Sequence, residues 1–502
     1  MLSDRRRHVL NVVVSQLDTA IFTAGSFIVT PAVLGSLGDA QYGGWLLINS
    51  FIAYMRMLDL GTSAGTVKFG AGAHGRGDRA DLVRVLDTSA AMFLVIATLA
   101  AVVTAGLAWV IPRAYPIAEG QEGTILLLGG AMVLELAFRP FSAALRMRSL
   151  HFLYDSVEIG TYLTFKLGLV LFFAWRGELT YHVLALLTFG ETVVRLVLVA
   201  SASLIASPFV RALNPFRAQR AMVRKLATMG AAVSIIMVAD IVCFQLDAGV
   251  IGTFMPDSPE SIAVFGVGTR LLSIAFAAIS VIANVLIPRF SALSEVDDRE
   301  GMLQLLRSSS LSQGLVSSLG LAGIAVLGPH FLALWLGTPW IGDSAKILHM
   351  LIPSYFIALF ASPGSALLMG RGRLRRLTML AVAEAIANLG LSIALVFRFG
   401  IYGVALGTAI PLAISQGLVF PFLLRKEIGL PVRDYLRMNT RAAVVGLVFV
   451  IAIGGVAWIP IPTFGWFFLV GGGCVVVYAA IVMALVPNLR RAILERLRRR
   501  DA

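Results

Sequence analysis

The chain has 502 residues, of which 58% are hydrophobic and only 14% are charged, and its mean hydropathy is +0.86. A water-soluble protein carries about 25% charged residues, so this composition excludes a soluble enzyme or binding module. The net charge of +13 is spread over many short connections rather than gathered into one patch. We therefore expect no nucleic acid among the partners of this protein.

Apolar runs of about twenty residues, the length that crosses roughly 30 Å of hydrocarbon, recur fourteen times. The connections between them are too short to form a folded domain. In chain order, the predicted spans are 9–34, 42–66, 86–111, 123–145, 155–175, 180–205, 226–251, 262–288, 308–328, 344–369, 376–397, 402–424, 441–459 and 466–486. This pattern predicts an all-α polytopic membrane protein with about 14 transmembrane helices.

Lysine and arginine residues are distributed unevenly between the two sets of connections. Nearly all of them lie in every second connection, and the intervening ones hold only Arg113, Arg176, Lys346 and Arg398. Connections rich in positive charge stay on the cytoplasmic side of a membrane. We therefore expect both termini in the cytoplasm.

The spans divide into groups of six, six and two. We predict an N-terminal lobe over 1–206, a basic cytoplasmic linker over 207–225 and a C-terminal lobe over 226–424. Two additional spans occupy 441–486, and a basic cytoplasmic tail follows over 487–502. Repeated bundles with a binding site between them are a common plan of transporters, so we expect two six-helix lobes around a central cavity.

Four cations fall in the interior of the predicted spans, at least eight residues from either end. An ion at the membrane centre costs about 2.5–3.5 kcal/mol on insertion scales, so it persists where it pairs, meets water or has a function. Glu191 and Arg195 have i,i+4 spacing and can pair within one helix, whereas the other three cations have no opposite charge at that spacing. Because arginine presents a planar fork suited to phosphate, we predict a substrate-binding set for an anionic ligand: Arg56, Arg270, Lys166 and Arg195.

Acidic residues inside the spans are candidates for ion coupling. A desolvated carboxylate can take up a proton or a cation, and we assign this role to Asp18, Asp240 and Glu384. Each of them could instead pair structurally with one of the buried cations. Glu135 and Arg139 also have i,i+4 spacing and can form such a pair, unless Arg139 extends its charge to the nearby interface.

Motifs that carry enzyme chemistry are not convincing in this sequence. Residues 70–75 fit G-x-G-x-x-G, but they leave a membrane span and no strand precedes them. The two cysteines, Cys243 and Cys474, lie far apart and the six histidines are scattered, which gives no metal-ligand spacing. We predict no catalytic residues, no metal, no cofactor and no enzyme activity.

The N-terminal stretch carries a recognisable pattern. Pro31 is followed by SLGDAQYGGW at 36–45, LDLG at 58–61 and GAHGRGD at 72–78. This pattern resembles the polysaccharide-biosynthesis flippases, the O-antigen and exopolysaccharide branch of the multidrug/oligosaccharidyl-lipid/polysaccharide exporter superfamily. The match extends to about residue 85, and the rest of the chain agrees in its number of spans and short external loops.

The resemblance implies a flippase of the bacterial inner membrane with a V-shaped cavity. It implies that an undecaprenyl-diphosphate-linked oligosaccharide moves from the inner to the outer leaflet by alternating access, with membrane lipids, a polysaccharide polymerase and chain-length machinery as partners. Related lipid II flippases use cavity arginines, and Arg56 and Arg270 fall where these are expected. Those relatives usually carry a basic residue in span 1 where this chain has Asp18, which favours another lipid-linked glycan.

Two alternatives stay open. A drug or cation antiporter of the same superfamily would have a smaller pocket and would usually stop at twelve spans. A membrane glycan polymerase or ligase would typically carry a large external loop, and the external connections at 112–122 and 329–343 are short.

Overall fold

A computed structural model describes residues 4–59, 61–256, 258–337 and 341–487. No strand occurs within these ranges. Two π-helical segments, Tyr162–Leu169 and Ser415–Val419, and several 3-10 turns join the α-helices. The α-helices are α1 (Asp4–Leu37), α2 (Asp39–Tyr54), α3 (Thr62–Gly75), α4 (Arg79–Ala114), α5 (Glu122–Ala137), α6 (Arg139–Met147), α7 (His151–Thr161), α8 (Val170–Arg176), α9 (Tyr181–Ala206), α10 (Arg220–Gln245), α11 (Asp247–Phe254), α12 (Glu260–Asn284), α13 (Ile287–Glu295), α14 (Arg299–Leu336), α15 (Ile341–Gly370), α16 (Leu374–Phe399), α17 (Ile401–Ile414), α18 (Phe420–Ile428), α19 (Val432–Ile453) and α20 (Phe464–Leu485).

Eleven helical stretches of the described chain are long and apolar enough to cross a membrane. A twelfth arises if α5 and α6, which meet at an angle of 43°, form one broken span. These stretches coincide with all the predicted spans except the second and the seventh. The prediction of an all-α, multi-pass membrane protein is therefore confirmed.

The second predicted span is interrupted. Helix α2 ends in the 3-10 turn Met55–Asp59, and α3 begins after Gly61, whose φ of 66° lies in the left-handed region that favours glycine. Asp59 accepts hydrogen bonds from the backbone N (3.0 Å) and Oγ (2.7 Å) of Ser63, which stabilises the first turn of α3. Arg56 consequently sits in a tight turn between two short helices, not within one continuous helix.

The seventh predicted span is also divided. Helix α10 ends at Gln245, and α11 starts at Asp247 after a single intervening residue. Several side chains of α10 lie outside the described residues, among them the predicted ion-coupling residue Asp240. That assignment stays a prediction.

Two compact units make up the chain, Met1–Ala263 and Val264–Ala502. Helix α10 belongs to the first unit, where Leu226 is fully buried in a cluster with Val85 and Leu86 of α4. The linker predicted over 207–225 overlaps the first turns of this helix, and the division into lobes at that linker stays a prediction.

Close helix packing characterises the second unit. A Cβ atom at Gly403 or Gly407 of α17 would overlap the backbone of Leu395 or Ser392 of α16, so only glycine allows these two helices to approach so closely. Buried small polar side chains line α14, where Ser318 Oγ donates to the carbonyl of Ala442 on α19 at 2.8 Å. Small residues of this kind hold helices together without ion pairs.

Tryptophan residues are exposed near the helix ends that are predicted to be external. Trp109, Trp175 and Trp458 are exposed by 63%, 84% and 90%, and the guanidinium of Arg113 lies 4.9 Å from the ring centre of Trp109. Tryptophan is enriched where a membrane meets water. These rings are therefore suited to the interface on that side of the bilayer.

Candidate functional site

The first unit contains a buried chain of alternating charges. Arg195 of α9 contacts Glu135 of α5 at 3.3 Å and Glu158 of α7 at 3.0 Å, and only 14% of its side chain is exposed. The second carboxylate oxygen of Glu135 accepts from Arg139 at 2.9 Å, across the bend between α5 and α6. Of the two roles that the sequence left open for Arg139, the structure shows the ion pair with Glu135. Four helices are joined by charge-assisted hydrogen bonds at this point.

The predicted pair between Glu191 and Arg195 does not form. Within the described ranges no ion pair joins them, because both nitrogens at the end of the Arg195 fork are already bound to carboxylates of other helices. Glu191 instead lies 3.8 Å from Lys166. The Nζ of Lys166 also donates to Thr188 Oγ1 at 2.5 Å.

Lys166 is positioned by a π-helical segment. The segment Tyr162–Leu169 interrupts the helical span between α7 and α8, and such insertions are frequent at functional sites. Tyr162 lies against α1, with its ring centre 4.0 Å from that of Phe22. The wider turn thus contacts the helix that carries Asp18.

Asp18 faces other acids. Its carboxylate is repelled by those of Glu158 and Asp155, and one oxygen each of Asp18 and Asp155 is buried with no hydrogen-bond partner among the described residues. Leaving a buried polar atom unpaired costs about 1–3 kcal/mol, so these oxygens are suited to take up a proton or a cation. Sequence reasoning missed Asp155 because it lies at the predicted edge of span 5, although its i,i+3 spacing from Glu158 is visible.

The buried ion pairs and the acids beside them form a charge network, whose positive and negative charges are equal in number only when two nearby arginines are counted. The three cations in direct contact are Arg139, Lys166 and Arg195, and the five carboxylates are Asp18, Glu135, Asp155, Glu158 and Glu191. Arg56 acts on Glu135 from a greater distance, and Arg146 acts on Asp155 and Glu158. The core of the network is therefore rich in acids, with arginines at its edge.

The four predicted substrate-binding cations fall into two groups. Lys166 and Arg195 are engaged in ion pairs, whereas Arg56 in the first unit and Arg270 on α12 in the second unit are exposed. Neither Arg56 nor Arg270 forms an ion pair with a described residue. Within this set, they are the two cations whose charge is available to a ligand.

Glu384 lies in a different environment in the second unit. It lines a cavity of about 360 Å³ between α16 and α17 whose other walls are mostly aliphatic, including Leu380, Leu391 and Ile410. One carboxylate oxygen accepts from Gln416 Nε2 at 3.0 Å and from the hydroxyl of Ser415. Both donors belong to the π-helical segment Ser415–Val419, and the second oxygen has no hydrogen bond to a described residue. A single acid therefore stands in an apolar cleft.

A metal centre is not evident in the described part of the chain. No group of three or more His, Cys, Asp or Glu residues there could hold a metal ion. The cysteines Cys243 and Cys474 are both buried and do not form a disulfide.

Comparison with known proteins identifies the fold. No protein-family model matches the sequence, and no curated protein matches it either. An inward-facing multidrug resistance MATE family transporter of the MOP superfamily superposes with a TM-score of 0.66 and 15% identity, covering 81% of this chain and 94% of that one. The lipid II flippase MurJ, in an inward closed conformation, has a TM-score of 0.63 and 14% identity, covering 96% and 99%.

A MOP superfamily transporter from Pyrococcus furiosus gives a TM-score of 0.57 at 17% identity, covering 84% of this chain and 95% of that one. The chain is thus a multi-pass membrane protein with the fold of the MATE and MurJ proteins. This likeness agrees at the level of fold with the superfamily that the N-terminal sequence pattern indicates.

Proposed function

We propose that this protein is a flippase that moves a polyprenyl-diphosphate-linked oligosaccharide, a polysaccharide precursor, from the inner to the outer leaflet by alternating access. The head group of such a substrate is anionic and cannot cross hydrocarbon unaided, whereas its apolar polyprenyl tail is soluble in the bilayer interior. The protein must therefore offer a wet, phosphate-binding surface, and needs no catalytic residue.

The availability of Arg56 and Arg270 is the observation that carries this proposal. Each compact unit contributes one exposed arginine within a predicted span, and neither arginine forms an ion pair with a described residue. An unpaired intramembrane cation is costly and marks a functional site by default. The planar fork of an arginine is suited to donate to the oxygens of a diphosphate.

The extent of the structural likeness supports a flippase over a drug transporter. The MurJ superposition covers 96% of this chain, whereas the MATE superposition covers 81%. Helices α19 and α20 occupy the two additional spans that the sequence predicts after the C-terminal lobe, 441–459 and 466–486. The N-terminal motifs point to the polysaccharide branch of the superfamily.

For ion coupling we propose Asp18 and Glu384, with Asp240 as a further candidate outside the described side chains. Asp18 lies beside two other acids and has a buried oxygen without a partner. Glu384 stands in an apolar cleft with one oxygen free of described donors. Protonation relieves the cost of burial at either site.

We propose the bacterial inner membrane as the location, with both termini in the cytoplasm. The surrounding lipids and a polysaccharide polymerase with its chain-length machinery are the proposed partners. Cysteine labelling of residues at the predicted external ends, such as Trp458→Cys, checks this orientation, since only external positions react with an impermeant reagent.

A cation antiporter is the second candidate, and one observation favours it. Three carboxylates, those of Asp18, Asp155 and Glu158, lie together in the first unit, and the Glu384 cleft combines a negative charge with apolar walls. Such a combination suits a lipophilic cation better than a diphosphate.

Reconstitution separates the two functions. Vesicles containing the protein are loaded with a fluorescent polyprenyl-diphosphate oligosaccharide, and leaflet exchange is scored by quenching from outside. A parallel arm measures ethidium movement driven by a sodium or proton gradient. We expect lipid exchange above that of protein-free vesicles and no ethidium movement. Ethidium movement without lipid exchange would establish the antiporter.

A further inference from the structure

A second cavity of about 360 Å³ lies in the first unit, where the ends of α3 and α6 meet the start of α4. Its lining includes His74 from the end of α3, Arg79 from the start of α4 and Arg148 from the end of α6. Leu82 and Phe209, both largely buried, form apolar walls. The volume falls within the range of about 300–1,000 Å³ that is usual for small-molecule sites.

The charges of this cavity are available to a ligand. Neither Arg79 nor Arg148 forms an ion pair with a described residue. Asp78 is the acid in the lining, and its Oδ1 is already bound to the backbone N of Asp81 at 2.9 Å, where it caps α4. The cavity therefore presents two guanidinium groups and one imidazole against a single, engaged carboxylate.

The walls of the cavity are held in place. The turn after Arg148 is tied to α1, because Asn11 Nδ2 donates to the carbonyl of Ser149 at 2.8 Å and its Oδ1 accepts from the backbone N of Phe152 at 3.0 Å. Gly77, with a φ of 70°, provides the tight turn between α3 and α4. A preformed site of this kind loses little conformational entropy when a ligand binds.

An apolar anchor lies on the neighbouring linker. Phe216 is 94% exposed, and its turn is fixed because Asn214 Oδ1 accepts from the backbone N of Phe216 at 3.0 Å. The backbone N of Asn214 in turn donates to Asp87 of α4 at 2.7 Å. An exposed aromatic ring on a basic segment is typical of a surface that rests in the lipid headgroup region.

We infer that this cavity binds the phosphate of an anionic phospholipid, with a headgroup of the phosphatidylglycerol type, from the leaflet on that side. Arg79 and Arg148 supply paired donors to the phosphate oxygens, and Phe216 lies among the acyl chains beside it. Basic pockets between transmembrane helices bind anionic headgroups by this combination. A choline headgroup is disfavoured, because its own positive charge would face the two arginines.

Native mass spectrometry of the full-length protein tests the inference. The protein is reconstituted in phosphatidylcholine vesicles that contain phosphatidylglycerol, and the phosphatidylglycerol retained on release is counted. We expect the wild type to retain phosphatidylglycerol. Arg79→Ala or Arg148→Ala alone should lower the retained amount roughly fivefold, and the double variant should lower it by roughly the product of the two single losses. The matched control is Arg84→Ala, also on α4, whose side chain pairs with Asp81 at 3.5 Å and does not line the cavity.

Two results would overturn it. One is retention of phosphatidylglycerol by a double variant whose thermal unfolding matches that of the wild type. The other is arginine-dependent binding of inorganic phosphate to delipidated protein, together with unchanged phosphatidylglycerol retention in both arginine variants, which would identify free phosphate as the ligand. Neither readout involves transport, so a failure of the flippase proposal leaves this test intact.

Discussion

The two compact units stabilise their membrane helices in different ways. In the first unit, ion pairs link α5, α6, α7 and α9 through Arg195 and Glu135. In the second unit, the described ion pairs lie at helix ends, as between Arg376 and Glu427 at 2.6 Å. There the interior is packed through glycine and serine, and Glu384 accepts only from neutral donors.

This difference indicates which unit can respond to a change in pH or in cation concentration. An acid-rich network responds to protons and cations, since each charge is held by its neighbours. Close packing through glycine is rigid and responds little to either. We therefore expect the stability of unit 1 to be the more sensitive to protons and cations, and unit 2 to act as the more rigid half.

Removal of Arg195 should have the largest effect. Arg195→Ala leaves Glu158 without its cation and Glu135 with only Arg139, and breaking a buried pair costs about 3–5 kcal/mol. The free energy of unfolding in detergent measures this loss. Arg176→Ala is the matched control, because its pair with Glu178 is half exposed and such pairs contribute about 0–1 kcal/mol. Equal losses in the two variants would contradict the role of the network.

The packing of unit 2 is tested at Gly407. Gly407→Ala places a methyl group against the backbone of Ser392 and should destabilise the protein by about 1–3 kcal/mol. Gly390→Ala on α16 is the control, since a Cβ there meets no atom within 4 Å. We expect that variant to be neutral or slightly stabilised. If both glycines tolerate alanine equally, unit 2 is not held by close packing.

Asp18→Asn should stabilise the protein, in contrast to the two substitutions above. The change removes a negative charge that is repelled by Glu158 and Asp155, so the unfolding temperature at neutral pH should rise, by the equivalent of up to about 1 kcal/mol. The same variant should lose the dependence of transport on the coupling ion. A fall in the unfolding temperature would mean that Asp18 has a cationic partner.

The smallest effect on stability is expected at Glu384. Glu384→Gln keeps an oxygen that can accept from Ser415 and Gln416, so the free energy of unfolding should change by about 1 kcal/mol or less. Coupling should nevertheless fail, because an amide cannot titrate. Transport rates measured across a pH series check this. An unchanged pH profile would remove Glu384 from the coupling mechanism.

Much of the fold could be predicted from the sequence because membrane helices are long and apolar. The exceptions have local causes: Gly61 and the turn at Met55–Asp59 break the second span, and Leu246 separates the two helices of the seventh. A count of hydrophobic residues does not detect breaks of one or a few residues inside an apolar run.

The ion-pair partners in the candidate site were harder to predict from the sequence than the fold. The i,i+4 spacing indicated the pair of Glu135 with Arg139, which forms across the bend between α5 and α6. The same spacing wrongly paired Glu191 with Arg195. The true partners of Arg195 are Glu158 and Glu135, 37 and 60 positions away, and periodicity holds no information about contacts between helices. The π-helical segment that positions Lys166 has no sequence signal of comparable strength.

We propose that Arg56 and Arg270 each serve the transport of an anionic, lipid-linked substrate. The most direct test is the leaflet-exchange rate of a fluorescent polyprenyl-diphosphate oligosaccharide in vesicles that contain Arg56→Ala, Arg270→Ala or the control Arg398→Ala. We predict at least a tenfold slower rate for the first two variants and the wild-type rate for the control. Wild-type exchange by folded Arg56→Ala and Arg270→Ala proteins would contradict the account.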